Sequence, residues 1–266
     1  MTEAQPTSPA AVIIQAEKLV KAYGMLPVLR GLDLQVERGT CVALLGPNGS
    51  GKSTLIRLLA GLSHPTSGSL SVGGWSIPRE AAAVRGHIGV ISHRPLLYEG
   101  LTAHENLLFF GRLYNLPSET LDSRIGQMLA QVGLHRRAHD LVRTFSRGMQ
   151  QRLSIARALL HNPDVLLFDE PYTGLDVSAS TILDDLLVSA RNESRTILLT
   201  THQLDQAVRL ADRVLILSRG QIGYDQPAKA LSTIQLAADY AELTGMSRAS
   251  VSNITSNTPS TTGQSA

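Results

Sequence analysis

Cysteine is almost absent from this chain of 266 residues: Cys41 is the only one. An intrachain disulfide is therefore impossible, and the fold has to rest on a packed core. Cys41 falls inside the apolar run from Thr40 to Leu45, where a thiol reads as a small core group rather than a nucleophile. Charge of one sign is equally scarce. With 24 Lys and Arg against 22 Asp and Glu the formal net charge is +2, and no dense basic run occurs, so no nucleic acid partner is expected. No stretch approaches the ~20 apolar residues of a membrane-spanning helix. The start MTEAQPTSPA lacks a basic segment followed by an apolar core. The expectation is a cytosolic protein, or one held at a membrane by something else. The glycosylation-like triplets Asn192-Glu193-Ser194 and Asn253-Ile254-Thr255 are then accidental.

What is present concentrates in Gly46-Pro47-Asn48-Gly49-Ser50-Gly51-Lys52-Ser53-Thr54, which fits G-x-x-x-x-G-K-[S/T]. The run Thr40 to Leu45 before it is continuously apolar, as a buried parallel strand should be. Leu55, Ile56, Leu58, Leu59 and Leu62 after it recur at helical spacing. Strand, glycine loop and helix form the context in which backbone N–H groups converge on a polyphosphate. Lys52 would reach the β- and γ-phosphates, and the Ser53 hydroxyl would stand where Mg²⁺ bridges them.

Val12 to Val20 and Leu29 to Val36 predict an antiparallel pair split by a turn at Gly24-Met25-Leu26-Pro27. Tyr23 beside that turn is an edge aromatic, which packs or stacks on a base. Ser69 to Ile77 predicts a further strand carrying Trp75, and Ile88 to Ile91 a short one. From Leu101 to Leu160 the pattern is helical, interrupted at Asn115 to Ser118 and at Gly133 to His139, so a helical insertion divides an α/β core. His135 and His139 stand at i, i+4 spacing, but no carboxylate or thiolate completes a metal set, and the intervening arginines suggest a solvated basic helix end. Val214 to Leu217 and Gln221 to Tyr224 predict a last hairpin, followed by one or two helical segments over Ala228 to Thr244.

Val165 to Phe168 is a second all-apolar strand, ending in Asp169-Glu170-Pro171. Adjacent carboxylates thus emerge at the C-terminal edge of a sheet, where α/β sites form. Asp169 would hold Mg²⁺ through water, and Glu170 would take a proton from an attacking water. A helix from Ser178 to about Ala190 and a strand from Thr196 to Thr200 follow, and His202 comes next at the same edge. A neutral imidazole there can hydrogen-bond a γ-phosphate oxygen, or it simply caps a helix at the surface.

Taken in order, these pieces resemble the ATP-binding subunits of ABC transporters over residues 12 to about 224. Phe145-Ser146-Arg147-Gly148-Met149-Gln150-Gln151-Arg152 looks like the family's signature segment, with Arg147 and Met149 departing from its usual Gly and Gln. The resemblance implies an α/β P-loop core with a mainly parallel sheet, an antiparallel β subdomain and an α-helical subdomain. Its cofactors would be ATP and Mg²⁺, with Tyr23 stacking on adenine. Ser146 and Gly148 would contact the γ-phosphate held by another copy's loop, Asp176 would line the dimer interface, and His202 would be the switch histidine. His93 stands where the family has a glutamine that reads Mg²⁺ and contacts the membrane partner. The partners implied are a separate transmembrane permease and a second ATPase subunit, identical or related, at the cytoplasmic face of the membrane. The run Ser92 to Tyr98, continuing through Leu101 to Leu107, is similar to subunits of the haem-exporter type used in cytochrome c maturation. A soluble ABC-type ATPase acting on ribosomes or DNA is the alternative. Such relatives usually carry paired ATPase units or a long coiled coil, whereas this sequence has a single signature segment and no heptad run.

The domain plan follows. Residues 1–11 are expected to be disordered, and 12–228 to form the ATP-binding domain with its helical part over about 96–160. Residues 229–245 should be a C-terminal helical segment, and 246–266 a disordered Ser/Thr/Asn-rich tail.

Overall fold

The computed structural model describes residues 11–92, 95–173, 175 and 177–246. The expectations for residues 1–10, for His93 and Asp176, and for the tail from Ser247 lie outside the described residues. β1 (Val12–Tyr23) and β2 (Leu26–Glu37) pair antiparallel through a turn at Gly24-Met25, so both strands run further than their apolar patterns indicated. β3 (Cys41–Leu45) is buried along its length and leads through the glycine loop into α1 (Lys52–Leu59). The helix stops there, and Leu62, expected on its apolar face, is 63% exposed. β4 (Ser67–Val72) and β5 (Trp75–Ser76) replace the single strand expected over Ser69 to Ile77. The chain reverses because Gly73 and Gly74 take φ of 63° and 89°, and the Trp75 ring then stacks 4.2 Å from that of His87.

His87 ends α2 (Ala81–His87), a short helix that no periodicity announced, and β6 (Ile88–Ser92) follows directly. The helical insertion is α3 (Ala103–Leu113), α4 (Ser118–Gln131) and α5 (Arg147–Leu159). The chain re-enters the core with β7 (Val165–Asp169), α6 (Val177–Asn192), β8 (Thr196–Thr200), α7 (Leu204–Leu210), β9 (Arg213–Ser218) and β10 (Gln221–Pro227). A 3₁₀ turn at Ala228–Ala230 and α8 (Thr233–Thr244) finish it.

The strands make a four-stranded antiparallel sheet, ordered β2-β1-β4-β5, and a six-stranded sheet, ordered β10-β9-β3-β8-β7-β6. In the latter every pairing is parallel except that of the edge strand β10. β3 shows how the core is divided. Val42 and Leu44 face a cluster containing Leu55, Leu58 and Leu59 of α1 and the antiparallel sheet. Cys41, Ala43 and Leu45 face the opposite cluster, with α3 to α8. Alternation along a strand buried on both faces thus assigns each residue to a side.

The helical subdomain meets the sheet at a close joint between β6 and α5. Gly89 in β6 lies so close to α5 that a Cβ there would come 2.5 Å from the Ala158 carbonyl oxygen. Buried Arg157 donates from Nη2 to the Val90 oxygen (2.9 Å) and from Nη1 to the Leu96 oxygen (3.1 Å), gripping both flanks of the loop after β6. Next to it the His161 ring stacks 3.8 Å from that of Tyr114 and donates from Nε2 to the Ile88 oxygen (3.0 Å).

Candidate active site

The glycine loop leaves the C-terminal end of β3, between β9 and β8. Two of its glycines are obligatory for packing as well as conformation. A Cβ at Gly46 would lie 2.3 Å from the Leu217 oxygen, and one at Gly51 (φ 112°) would lie 2.7 Å from Leu29 Cδ2. Pro47 and Asn48 project from the loop, and Gly49 at φ 79° completes its curl. α1 starts at Lys52 with no side-chain cap and no acid in its first turn, so the N–H groups of its first turn stay available to an anion. Ser50 Oγ is buried without a hydrogen-bond partner among the described residues, a further polar group suited to a phosphate oxygen. Thr54 is half-buried one residue beyond Ser53.

Lys52 is 6% exposed. Its ammonium donates to the carbonyl oxygens of Gly46 (2.6 Å) and Pro47 (3.2 Å) and lies 3.9 Å from Glu170 Oε1. Burial lowers its pKa, while Glu170 and then Asp169 oppose the shift by favouring the charged form.

The paired acids point to different partners. Asp169 ends β7 in register with Thr200 at the end of β8. Its Oδ1 accepts from Ser53 Oγ (3.0 Å) and from Thr200 Oγ1 (3.0 Å). Glu170 breaks the strand with φ 51°, its N–H donating to Thr200 Oγ1 (2.9 Å). That left-handed turn sends its carboxylate between Lys52 and His202, whose Nδ1 is 3.9 Å from Oε2. Thr200 therefore links both acids. The sequence reading missed it, because a threonine closing an apolar strand looks like an ordinary β-former; the only signal was its position two residues before His202.

Other expected residues stand apart from this group. Tyr23 is 48% exposed, with the Lys21 ammonium 5.0 Å from its ring centroid, as a stacking platform at the rim would be. Ser146 caps α5 by accepting from the Met149 N–H (3.3 Å), and Gly148 is buried in the first turn of that helix. Cys41 is a core residue, and burial pushes its thiol pKa up to about 12. His135 lies in a short 3₁₀ turn and His139 faces the His104 ring at 5.7 Å, and no cluster of three or more metal-binding side chains occurs among the described residues.

Strand, glycine loop and helix at the edge of a parallel sheet, faced by paired acids, define a P-loop nucleotide hydrolase. A family model described as ABC transporter matches residues 29–173. The Nod factor export ATP-binding protein I of Cupriavidus pinatubonensis is 39% identical over 240 residues, 90% of this chain and 74% of that protein. The linearmycin resistance ATP-binding protein LnrL of Bacillus subtilis is 37% identical over 79% of this chain and 68% of its own length. A solved dimeric structure of the ATP-binding cassette MJ0796, in a post-hydrolysis state bound to ADP and Pi, matches with a TM-score of 0.75. It is 28% identical, and the match covers 81% of this chain and 99% of that one. The chain belongs to the ABC transporter family, as an ATP-binding subunit with ATPase activity. None of these relatives is named a haem exporter, so they lend that subtype no support. Among the described residues no helix is long and apolar enough to cross a membrane.

Proposed function

We propose that this chain is the ATP-hydrolysing subunit of an export system, working as a dimer beneath a separate membrane permease. The observation that carries the catalytic part is the divergence of Asp169 and Glu170. One acid is bonded to the Ser53 and Thr200 hydroxyls, while the other is turned by a positive φ towards Lys52 and His202. A hydroxyl and a carboxylate oxygen 3.0 Å apart form a hard-oxygen donor set that suits Mg²⁺, which when bound there neutralises charge on the β- and γ-phosphates. Lys52 exchanges its carbonyl partners for phosphate oxygens. Glu170 accepts the proton of the attacking water, and His202 holds a γ-phosphate oxygen. Tyr23 stacks on the adenine ring.

For the assembly, the support is the dimeric cassette that this chain resembles. In this reading Ser146 and Gly148 serve the nucleotide of the second copy, and Asp176 and His93 keep the roles given by the family pattern. Export as the direction rests on the relatives named for Nod factor export and linearmycin resistance. It replaces the haem-exporter subtype. A cytoplasmic position at the membrane follows from dependence on the permease.

Glu170→Gln tests the proposal. Turnover should fall by roughly 10²-fold or more, the usual contribution of a positioned general base, with ATP binding retained. The variant should sediment as a dimer with ATP and as a monomer without it. A monomer in saturating ATP, or full turnover in a clean preparation, refutes the reading.

A further inference from the structure

Glu170 is a strained residue, since a glutamate at φ 51° persists only where its surroundings over-determine it. On its N-terminal side the restraint is the bond from its N–H to Thr200. On its C-terminal side the Thr173 N–H closes a turn onto the Glu170 carbonyl oxygen (3.2 Å). Within that turn Tyr172 donates its hydroxyl to Oδ1 of Asp184 on α6 (2.5 Å). The other oxygen of Asp184 accepts from Nη1 of Arg209 on α7 (2.9 Å).

α7 is the helix that follows His202. The Thr201 hydroxyl accepts from the Gln203 N–H (3.0 Å) and donates to Gln206 Oε1 (3.3 Å), fastening the His202 turn to the start of α7. With His202 3.9 Å from Glu170, the contacts close a circuit through Tyr172, Asp184, Arg209 and α7. No role of the nucleotide site accounts for Tyr172, Asp184 or Arg209.

We propose that Asp184, bridging Tyr172 and Arg209, is a positioning residue that fixes Glu170 relative to His202. The inference rests on Glu170 being the base. Geometry distributes the work unequally along the circuit. Tyr172 is half-buried, and its hydrogen bond to a carboxylate is of the strong, charge-assisted kind. Burial, then the hydrogen bond to Asp184, push its pKa up, so it remains a donor. The Arg209 side chain is 57% exposed, and its ion pair is weaker for being solvated. The Tyr172 link therefore holds the glutamate turn, and the Arg209 link adds alignment of α7.

The test is steady-state ATPase kinetics of Tyr172→Phe, which keeps the ring and removes the donor, and of Asp184→Asn, which keeps the shape and removes the charge. Each is also made in a Glu170→Gln background. Small misplacements of a reacting group cost up to 10²-fold, and the expected fall in kcat is about tenfold, with KM for ATP within about twofold. Arg209→Lys should keep most of the rate. In the Glu170→Gln background neither substitution should change the residual rate by more than about twofold, because the group being positioned is gone. Unchanged kcat in both single variants overturns the inference. So does an equal fall in the Glu170→Gln background, which a merely structural role would give. Should Tyr172→Phe not fold, Asp184→Asn alone decides. Full activity of Glu170→Gln by itself refutes the base assignment, a failure visible without the other variants.

Discussion

At the C-terminal edge of β3, β7 and β8, one chain joins Ser53, Asp169, Thr200 and Glu170 in a series of hydrogen bonds. At the start of α5, Ser146 uses its hydroxyl on its own helix, and its expected role depends on a second copy of the chain. Groups on strand ends inherit their spacing from sheet register, which a core of fully buried side chains fixes. On the proposed reading, Ser146 and Gly148 on the inserted subdomain take theirs from an assembly. The first kind of geometry is present in every folded molecule, whereas the second, as proposed, would depend on concentration and nucleotide.

The sheet edge should be the more sensitive region. Thr200→Val keeps the volume of a buried residue but removes a donor to Asp169 and the acceptor for the Glu170 N–H. ATPase activity should fall by roughly 10- to 10²-fold. The orphaned backbone donor should cost about 1–3 kcal/mol in urea unfolding. Near wild-type turnover would show that register alone places the acids.

The joint between the regions should respond to acid. The Nε2–H of His161 is given to Ile88, leaving Nδ1 buried without a partner among the described residues. Burial, foremost, lowers the folded-state pKa to about 4. An unfolded histidine titrates near ~6.5. Above that value neither state binds the proton; as pH falls, the unfolded chain takes it up while the folded chain refuses it until about 4. Stability is therefore lost across that window, at a slope approaching ~1.4 kcal/mol per pH unit. His161→Phe keeps the stack on Tyr114 and should flatten the profile in denaturant titrations at pH 7 and 5. Parallel profiles would place the acid sensitivity elsewhere.

A gentler change falls on the helical side. Ser146→Ala removes a cap worth about 1 kcal/mol. It should leave monomeric ATP affinity unchanged while shifting the rise of specific activity to higher protein concentration. A change in ATP affinity without the concentration shift would mean that Ser146 serves its own loop. The smallest effect is expected at Cys41, whose buried thiol should resist alkylation in the native protein and react only on unfolding. Measurable native labelling would show that β3 opens locally.

The legible parts of the sequence were those where chemistry and pattern coincide. The glycine loop, the acids after β7 and the hydrophobic blocks of β7 and β8 are local signals and appear where expected. Thr200 was hidden because its role arises from pairing with Asp169, a register no single segment encodes. α2 and α7 were missed because each buries only a few residues per short helix, among them Ala81 and Val84, or Leu204, Ala207 and Leu210. The β4–β5 hairpin looked like one strand because the glycines that reverse it also fit an alternating run.

The left-handed backbone of Glu170 also sets stability against function at one position. A glutamate there costs about 1–2 kcal/mol that glycine, and in part asparagine, would not. Selection of a random library for thermal tolerance alone should therefore drift towards Gly or Asn at this site and return well-folded proteins without turnover. A carboxylate retained under such selection would mean that the surrounding contacts already offset the strain.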